Sequence, residues 1–160
     1  MFETAIPDNL SPAERYTALA QAAGALTDGE RDAVANMANV AALLWQTLDR
    51  INWAGFYRMI DEELVLGPFM GKPACIRIPL GQGVCGTAAA LGATQLVADV
   101  HEFAGHIACD VASRSELVVP VMRGRQVVAV IDIDSPVVGR FDETDADGIE
   151  LLARAIAESI

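Results

Sequence analysis

The sequence predicts an α+β domain in which helices from the two ends of the chain pack on one face of an antiparallel sheet. Two observations carry this. Apolar residues recur every three to four positions near both ends but every second position across much of the middle, and the strand-like segments follow one another with turn residues between them. At 160 residues and 52% hydrophobic content the chain supports one core, read as a single domain over residues 1–160 with an N-terminal helical extension at about 1–25.

Ser11-Pro12-Ala13-Glu14 is a capping-box pattern with proline at the first helical position, so a short helix should run to Ala23 and stop at Gly24. Thr27-Asp28-Gly29-Glu30 repeats the device. The second helix would then carry Val34, Met37, Ala41, Leu44, Trp45 and Leu48 on one stripe and end near Asp49. From Asn52 the period becomes two, and Trp53 to Met59 with Leu64 to Leu66 reads as a hairpin around Ile60-Asp61-Glu62. Gly81-Gln82-Gly83 bends the chain into a helical run from Val84 to Leu91, followed by a strand at Gln95 to Val97. Ala98 to Arg114 shows no period, and an irregular stretch of that length in a compact domain usually carries function or motion. Strands at Glu116 to Met122 and Gln126 to Asp134 should flank Arg123-Gly124-Arg125. A last helix, beginning near Asp142, buries Ala146, Ile149, Leu152 and Ile156.

Charge narrows the partners. Eleven Lys and Arg face 22 Asp and Glu, a net charge of −11 that repels phosphate backbones and anionic membrane surfaces. The first residues have neither a basic nor an apolar leader segment, and no run of about 18 apolar residues occurs, so the expected location is the cytoplasm.

All three cysteines, Cys75, Cys85 and Cys109, fall in one short stretch, and an odd number of thiols cannot form a fully paired framework. At least one sulfur should be free or transiently bonded, which in that compartment points to redox chemistry. The second cluster is acidic. Asp132 and Asp134 share a strand face at about 6 to 7 Å along the strand. With a three-residue loop at Arg123-Gly124-Arg125, Glu116 would lie directly opposite Asp132. Like charges so placed destabilise a sheet. The patch therefore suggests a bound cation, a shared proton or a polar ligand. Crowded carboxylates raise a neighbouring thiol's pKa, which disfavours ordinary acyl transfer, but one of them can hold a proton for a leaving oxygen.

Trp53-Ala54-Gly55-Phe56-Tyr57, Pro73-Ala74-Cys75, Gly83-Val84-Cys85-Gly86-Thr87-Ala88, Gly105-His106-Ile107-Ala108-Cys109-Asp110, Ser115-Glu116 and Ile131-Asp132-Ile133-Asp134-Ser135 together resemble the free methionine-R-sulfoxide reductases, built on a GAF domain. The resemblance runs from about Ala13 to Ile156. It implies a GAF-like sheet and reduction of free L-methionine (R)-S-oxide. Cys109 would attack the sulfoxide sulfur, Cys75 would resolve the sulfenic acid as a disulfide, and Cys85 would be an accessory thiol. It further implies that Glu116, Asp132 and Asp134 hold the substrate, that Trp53 and Tyr57 form an aromatic wall, and that thioredoxin recycles the disulfide with no bound cofactor. Acids suit the substrate ammonium, and aromatic rings suit its S-methyl group.

Other readings are weaker. Gly81-Gln82-Gly83 lacks the lysine and spacing of a phosphate loop. Zinc held by the cysteines and His106 has none of the compact Cys-x2-Cys pairs, so no metal is expected. His106 and His101 are read as solvated or structural. A non-catalytic GAF sensor of a small ligand or of redox state is the alternative function, and the terminal helices could form a homodimer face.

Overall fold

In the computed structural model, residues 6–7, 9–105 and 110–160 are described. The elements, in chain order, are α1 (Pro12–Thr27), α2 (Ala33–Thr47), β1 (Trp53–Ile60), β2 (Glu63–Gly71), β3 (Arg77–Pro79), α3 (Gly83–Leu91), β4 (Gln95–Val97), a short 3-10 turn (Val100–Glu102), β5 (Ser115–Arg123), β6 (Gln126–Ser135) and α4 (Glu143–Ile156). The strands form one antiparallel sheet in the order β3-β2-β1-β6-β5-β4. No helix among the described residues is long and apolar enough to cross a membrane.

Period-two alternation divides the sheet into two unlike faces. Ala54 and Phe56 of β1, Leu117, Val119 and Val121 of β5, and Ala129, Ile131 and Ile133 of β6 point into a core shared with α1, α2 and α4. Trp53 and Tyr57, Val118, and Val130 point the other way, against α3 and Val100. The helices from both ends thus cover one face, as expected, and α3 with Val100 and Phe103 packs on the other.

Local chemistry explains the helix ends. Ser11 Oγ accepts from Glu14 N while Glu14 Oε2 accepts from Ser11 N, closing the anticipated capping box. Gly24 does not stop α1. The helix continues to Thr27, whose hydroxyl donates to the carbonyls of Ala23 and Gly24. Thr27 therefore ends one helix rather than starting the next, and Asp32 caps α2 by accepting from Ala35 N. The buried face of α2 is also rotated from the expected stripe. Val40 and Leu43 join Met37, Ala41 and Leu44 inside, whereas Val34 is 49% exposed and Trp45 36%. At the other end Asp142 caps α4, and Ala146, Ile149, Leu152 and Ile156 are buried.

The β5–β6 hairpin departs from its expected register in two places. Its loop has two residues, Gly124-Arg125, so Arg123 rather than Met122 pairs with Gln126, and Gly124 takes the positive φ of 60° that such a turn favours. A bulge at Val121/Met122 shifts the pairing once more. Glu116 consequently faces Asp134 instead of Asp132, while Val118 faces Asp132. A shift of two leaves every side chain on the face the sequence assigned it; a shift of one would have reversed them all.

The helical layer is tied by a polar cluster. Tyr16 donates to Asp145 Oδ1 at 2.5 Å, and Arg140, paired with Asp145 at 3.2 Å, also reaches Asp49 at 2.9 Å. Tyr16 lies so close to Gly148 that a Cβ there would clash with its ring. Gly148→Ala should therefore displace Tyr16 and destabilise the fold by roughly 1–3 kcal/mol in urea unfolding. An unchanged midpoint would contradict this packing.

Candidate functional site

On the sheet face away from the terminal helices, the side chains that carry chemistry converge from five places in the chain. Tyr57 of β1, Cys85 in the first turn of α3, Glu116 of β5, and Asp132 and Asp134 of β6 line one cavity with Gln82, Asp110 and Ser113. It continues past Tyr57, Asp110, Asp132 and Asp134 to Trp53, Lys72, Pro73 and Ala74. A larger cleft between α1 and the start of α4 contains Asp49, Arg140 and Asp145, whose charges are already paired with one another.

The acids are enclosed. Glu116 and Asp132 are each 6% exposed, Asp134 is half-buried, and Cys85 Sγ donates to Glu116 Oε1 at 3.9 Å. Asp132 Oδ1 is buried and has no hydrogen-bond partner among the described residues. Donor atoms of Cys85, Glu116 and Asp132 all lie within 4.8 Å of one another, a grouping that could hold a metal ion.

Burial sets the protonation of this group. It lifts Glu116 well above the usual carboxylate range, with the charges of Asp132 and Asp134 adding to the effect. Asp132 is raised by burial to about 7, and Asp134 is raised by burial and then by the charge of Asp132. The cup therefore retains at least one proton near neutral pH. Desolvation, followed by the carboxylates, pushes the Cys85 thiol up as well, which makes it a hydrogen-bond donor rather than a ready nucleophile. Tyr57 is raised by the same causes and stays a neutral phenol.

The wall beside the acids is aromatic, and Trp53 of β1 is the cross-strand partner of Asp134. Trp53 stacks on Tyr57 with ring centres 5.9 Å apart and on Phe69 at 5.2 Å, and its Nε1 donates to Lys72 O at 3.1 Å. Phe69 went unnoticed in the sequence. It pairs with Gly55, between Trp53 and Tyr57, and an irregularity in the β1–β2 register obscured that placement.

A polar strap across the cavity mouth also escaped notice. Asp110 Oδ1 accepts from Ala112 N at 2.9 Å, an interaction that holds its carboxyl below the usual range, and Lys72 reaches Asp110 at 3.4 Å. Asn52 Nδ2 donates to Asp110 Oδ2 at 3.3 Å and to Ser113 Oγ at 3.1 Å, and Ser113 bonds Asp134 in turn. Only the position of Asp110 directly after Cys109 hinted at this in the sequence.

Cys75 is half-buried and disulfide-bonded, and Cys85 is a free buried thiol. Pro73 and Ala74, just before Cys75, line the cavity, as does Asp110. The expected nucleophile, Cys109, and the neighbouring His106 lie outside the described residues. His101 is exposed and bonds Asp99 at 2.9 Å, away from the cavity.

A curled antiparallel sheet that holds a closed polar cup beneath a short helix is the design of a small-ligand GAF domain. Residues 35–160 match the GAF-domain family model. The free methionine-R-sulfoxide reductase of Escherichia coli is 51% identical over 143 residues, covering 89% of this chain and 87% of that one. The structure of the Neisseria meningitidis free methionine-R-sulfoxide reductase in complex with its substrate superposes with a TM-score of 0.89 at 42% identity, over 98% of this chain and 94% of that one. A structure described as a putative GAF sensor protein from Burkholderia vietnamiensis has a TM-score of 0.90 at 54% identity, covering 94% of this chain and 96% of that one. The chain belongs to the free methionine-R-sulfoxide reductases within the GAF-domain family.

Because the folded protein holds a proton on Asp132 that the unfolded chain releases near its ordinary value of 3.8, this group favours the folded state most in acid. Its contribution is lost as pH rises toward about 7. Asp132→Asn should accordingly gain thermal stability relative to wild type across that interval, and a difference that stays flat with pH would contradict the raised carboxyl.

Proposed function

We propose that the protein reduces free L-methionine (R)-S-oxide to L-methionine, with the substrate ammonium against Glu116, Asp132 and Asp134 and the S-methyl end against Trp53 and Tyr57. The observation that carries this reading is Asp132 Oδ1, without a hydrogen-bond partner among the described residues and buried in an acidic cup beside an aromatic wall. A buried acceptor without a donor favours a ligand that brings one. An α-ammonium does so.

In the proposed reaction the Cys109 thiolate attacks the sulfoxide sulfur while a cup carboxyl protonates the oxygen. Methionine leaves, and the oxygen remains on Cys109 as a sulfenic acid. The Cys75 thiol then displaces it as water, forming a Cys75 to Cys109 disulfide. Each turnover thus removes two electrons from the thiols, and thioredoxin, the proposed reductant, restores them. Support for the resolving role comes from Cys75, which sits in a disulfide beside the cavity. Burial of Cys85 favours an accessory place outside the main exchange. No bound cofactor is needed in this scheme, and a homodimer in the cytoplasm completes the proposal.

The thioredoxin-coupled assay on the separate R and S epimers tests it. Turnover should be confined to the free R epimer, and Cys109→Ser should lose at least about a thousandfold. Peptide-bound sulfoxide should be at least about a hundredfold poorer, because its amide leaves the buried acid without an ammonium partner. Trp53→Ala should raise KM about tenfold, the scale of one aromatic contact. Full turnover in Cys109→Ser would remove the nucleophile. Tight binding of methionine without turnover would instead favour the sensor reading, which the likeness to the Burkholderia vietnamiensis protein keeps in view.

A further inference from the structure

The trio at the floor of the cup has a composition that substrate binding alone does not require. An ammonium is satisfied by oxygen acceptors, yet here a sulfur is packed among them. Cys85 is 4% exposed, Glu116 6% and Asp132 6%, and their donor atoms lie within 4.8 Å of one another. All three are fixed on regular elements, the first turn of α3 and the adjacent strands β5 and β6. Asp132 Oδ1 is buried without a partner among the described residues, and Asp132 lines the cavity together with Cys85 and Glu116.

We infer that Cys85, Glu116 and Asp132 form a binding site for a thiophilic divalent cation of the Zn²⁺ type, occupied in place of the substrate ammonium. One thiolate and two carboxylates make a mixed sulfur and oxygen set that suits zinc or cadmium and disfavours calcium or magnesium, which take oxygen alone. Three protein ligands leave a fourth position open toward the cavity, so the ion is exchangeable. On binding, the Cys85 thiol proton and any proton held by Glu116 or Asp132 pass to buffer as the bonds to the metal form, and no electrons move. A dication also offsets the repulsion of carboxylates crowded on one sheet face. The trio differs from the arrangement weighed in the sequence, since Cys75, Cys109 and His106 take no part.

Competition with substrate rests on the proposed function, whereas metal binding itself does not. The test uses the intact chain with its disulfide formed, which leaves Cys85 as the free thiol among the described residues. Zn²⁺ is titrated against a chromophoric indicator, and Co²⁺ serves as the spectroscopic probe. One equivalent should bind with a sulfur-to-cobalt charge-transfer band. Cys85→Ser should abolish the band, and Asp132→Asn should weaken Zn²⁺ at least about tenfold, with thermal unfolding confirming that both variants fold. Absence of binding, or binding without the band that survives Cys85→Ser, would overturn the site. Free methionine sulfoxide should weaken the apparent Zn²⁺ affinity; a sulfur-ligated metal indifferent to it would retain the site and overturn the placement of the substrate ammonium.

Discussion

Everything in the cavity depends on three carboxylates held on one face of a sheet where water can scarcely reach them. Isolated ionised groups do not tolerate such burial, so the protein keeps them as a set that shares protons and awaits a cation. The raised pKa of Asp132, to about 7, and the upward displacement of Glu116 and Asp134 are consequences of one geometric fact. Under the proposed function the same fact offers the substrate two things at once, a counter-charge for its amine and a proton for its oxygen. A more solvated site would supply the first and not the second.

Sheet geometry is what makes this arrangement reproducible. Glu116 and Asp134 form a cross-strand pair and Asp132 lies diagonally beside them, so their spacing is set by backbone pairing rather than by long flexible side chains. The reverse faces of the same strands bury Leu117, Ile131 and Ile133 in the main core. Sliding the register by one residue would exchange acids for isoleucines, so the hydrophobic layer enforces the geometry of the acids from behind. This is why the acidic patch could be read from alternation alone even though its partner assignment was off by two. The turn length and the bulge that caused the offset act locally and leave no trace in the period.

Features that involve distant segments were less legible. The boundary between α1 and α2 looked like a capping box at Thr27, but tertiary packing extends α1 through Gly24 and lets Asp32 act as the cap. Trp45 fitted the expected apolar stripe and lies partly exposed. The strap from Lys72 through Asp110 and Asn52 to Ser113 joins residues up to 61 positions apart, and nothing in the local sequence of any one of them announces it. Sequence pattern reports which face a residue occupies; it does not report which loops meet above that face.

The strap bears on how the chemistry is partitioned. Asp110 adjoins Cys109 in the chain and is anchored by Lys72, three residues before Cys75. The ion pair between Lys72 and Asp110 adds a non-covalent tie beside the disulfide of Cys75, and its high exposure on the lysine side makes it weak enough to open. Cys85 stands apart from this exchange, fixed in α3 and wedged among the acids. In the proposed function the cavity therefore separates a redox edge at Cys75 from a binding floor of strand-borne acids. The proposed turnover needs the Cys75 disulfide to open and re-form while the acids hold the amino acid still, and a sulfur embedded among those acids is better placed to shape them than to trade electrons.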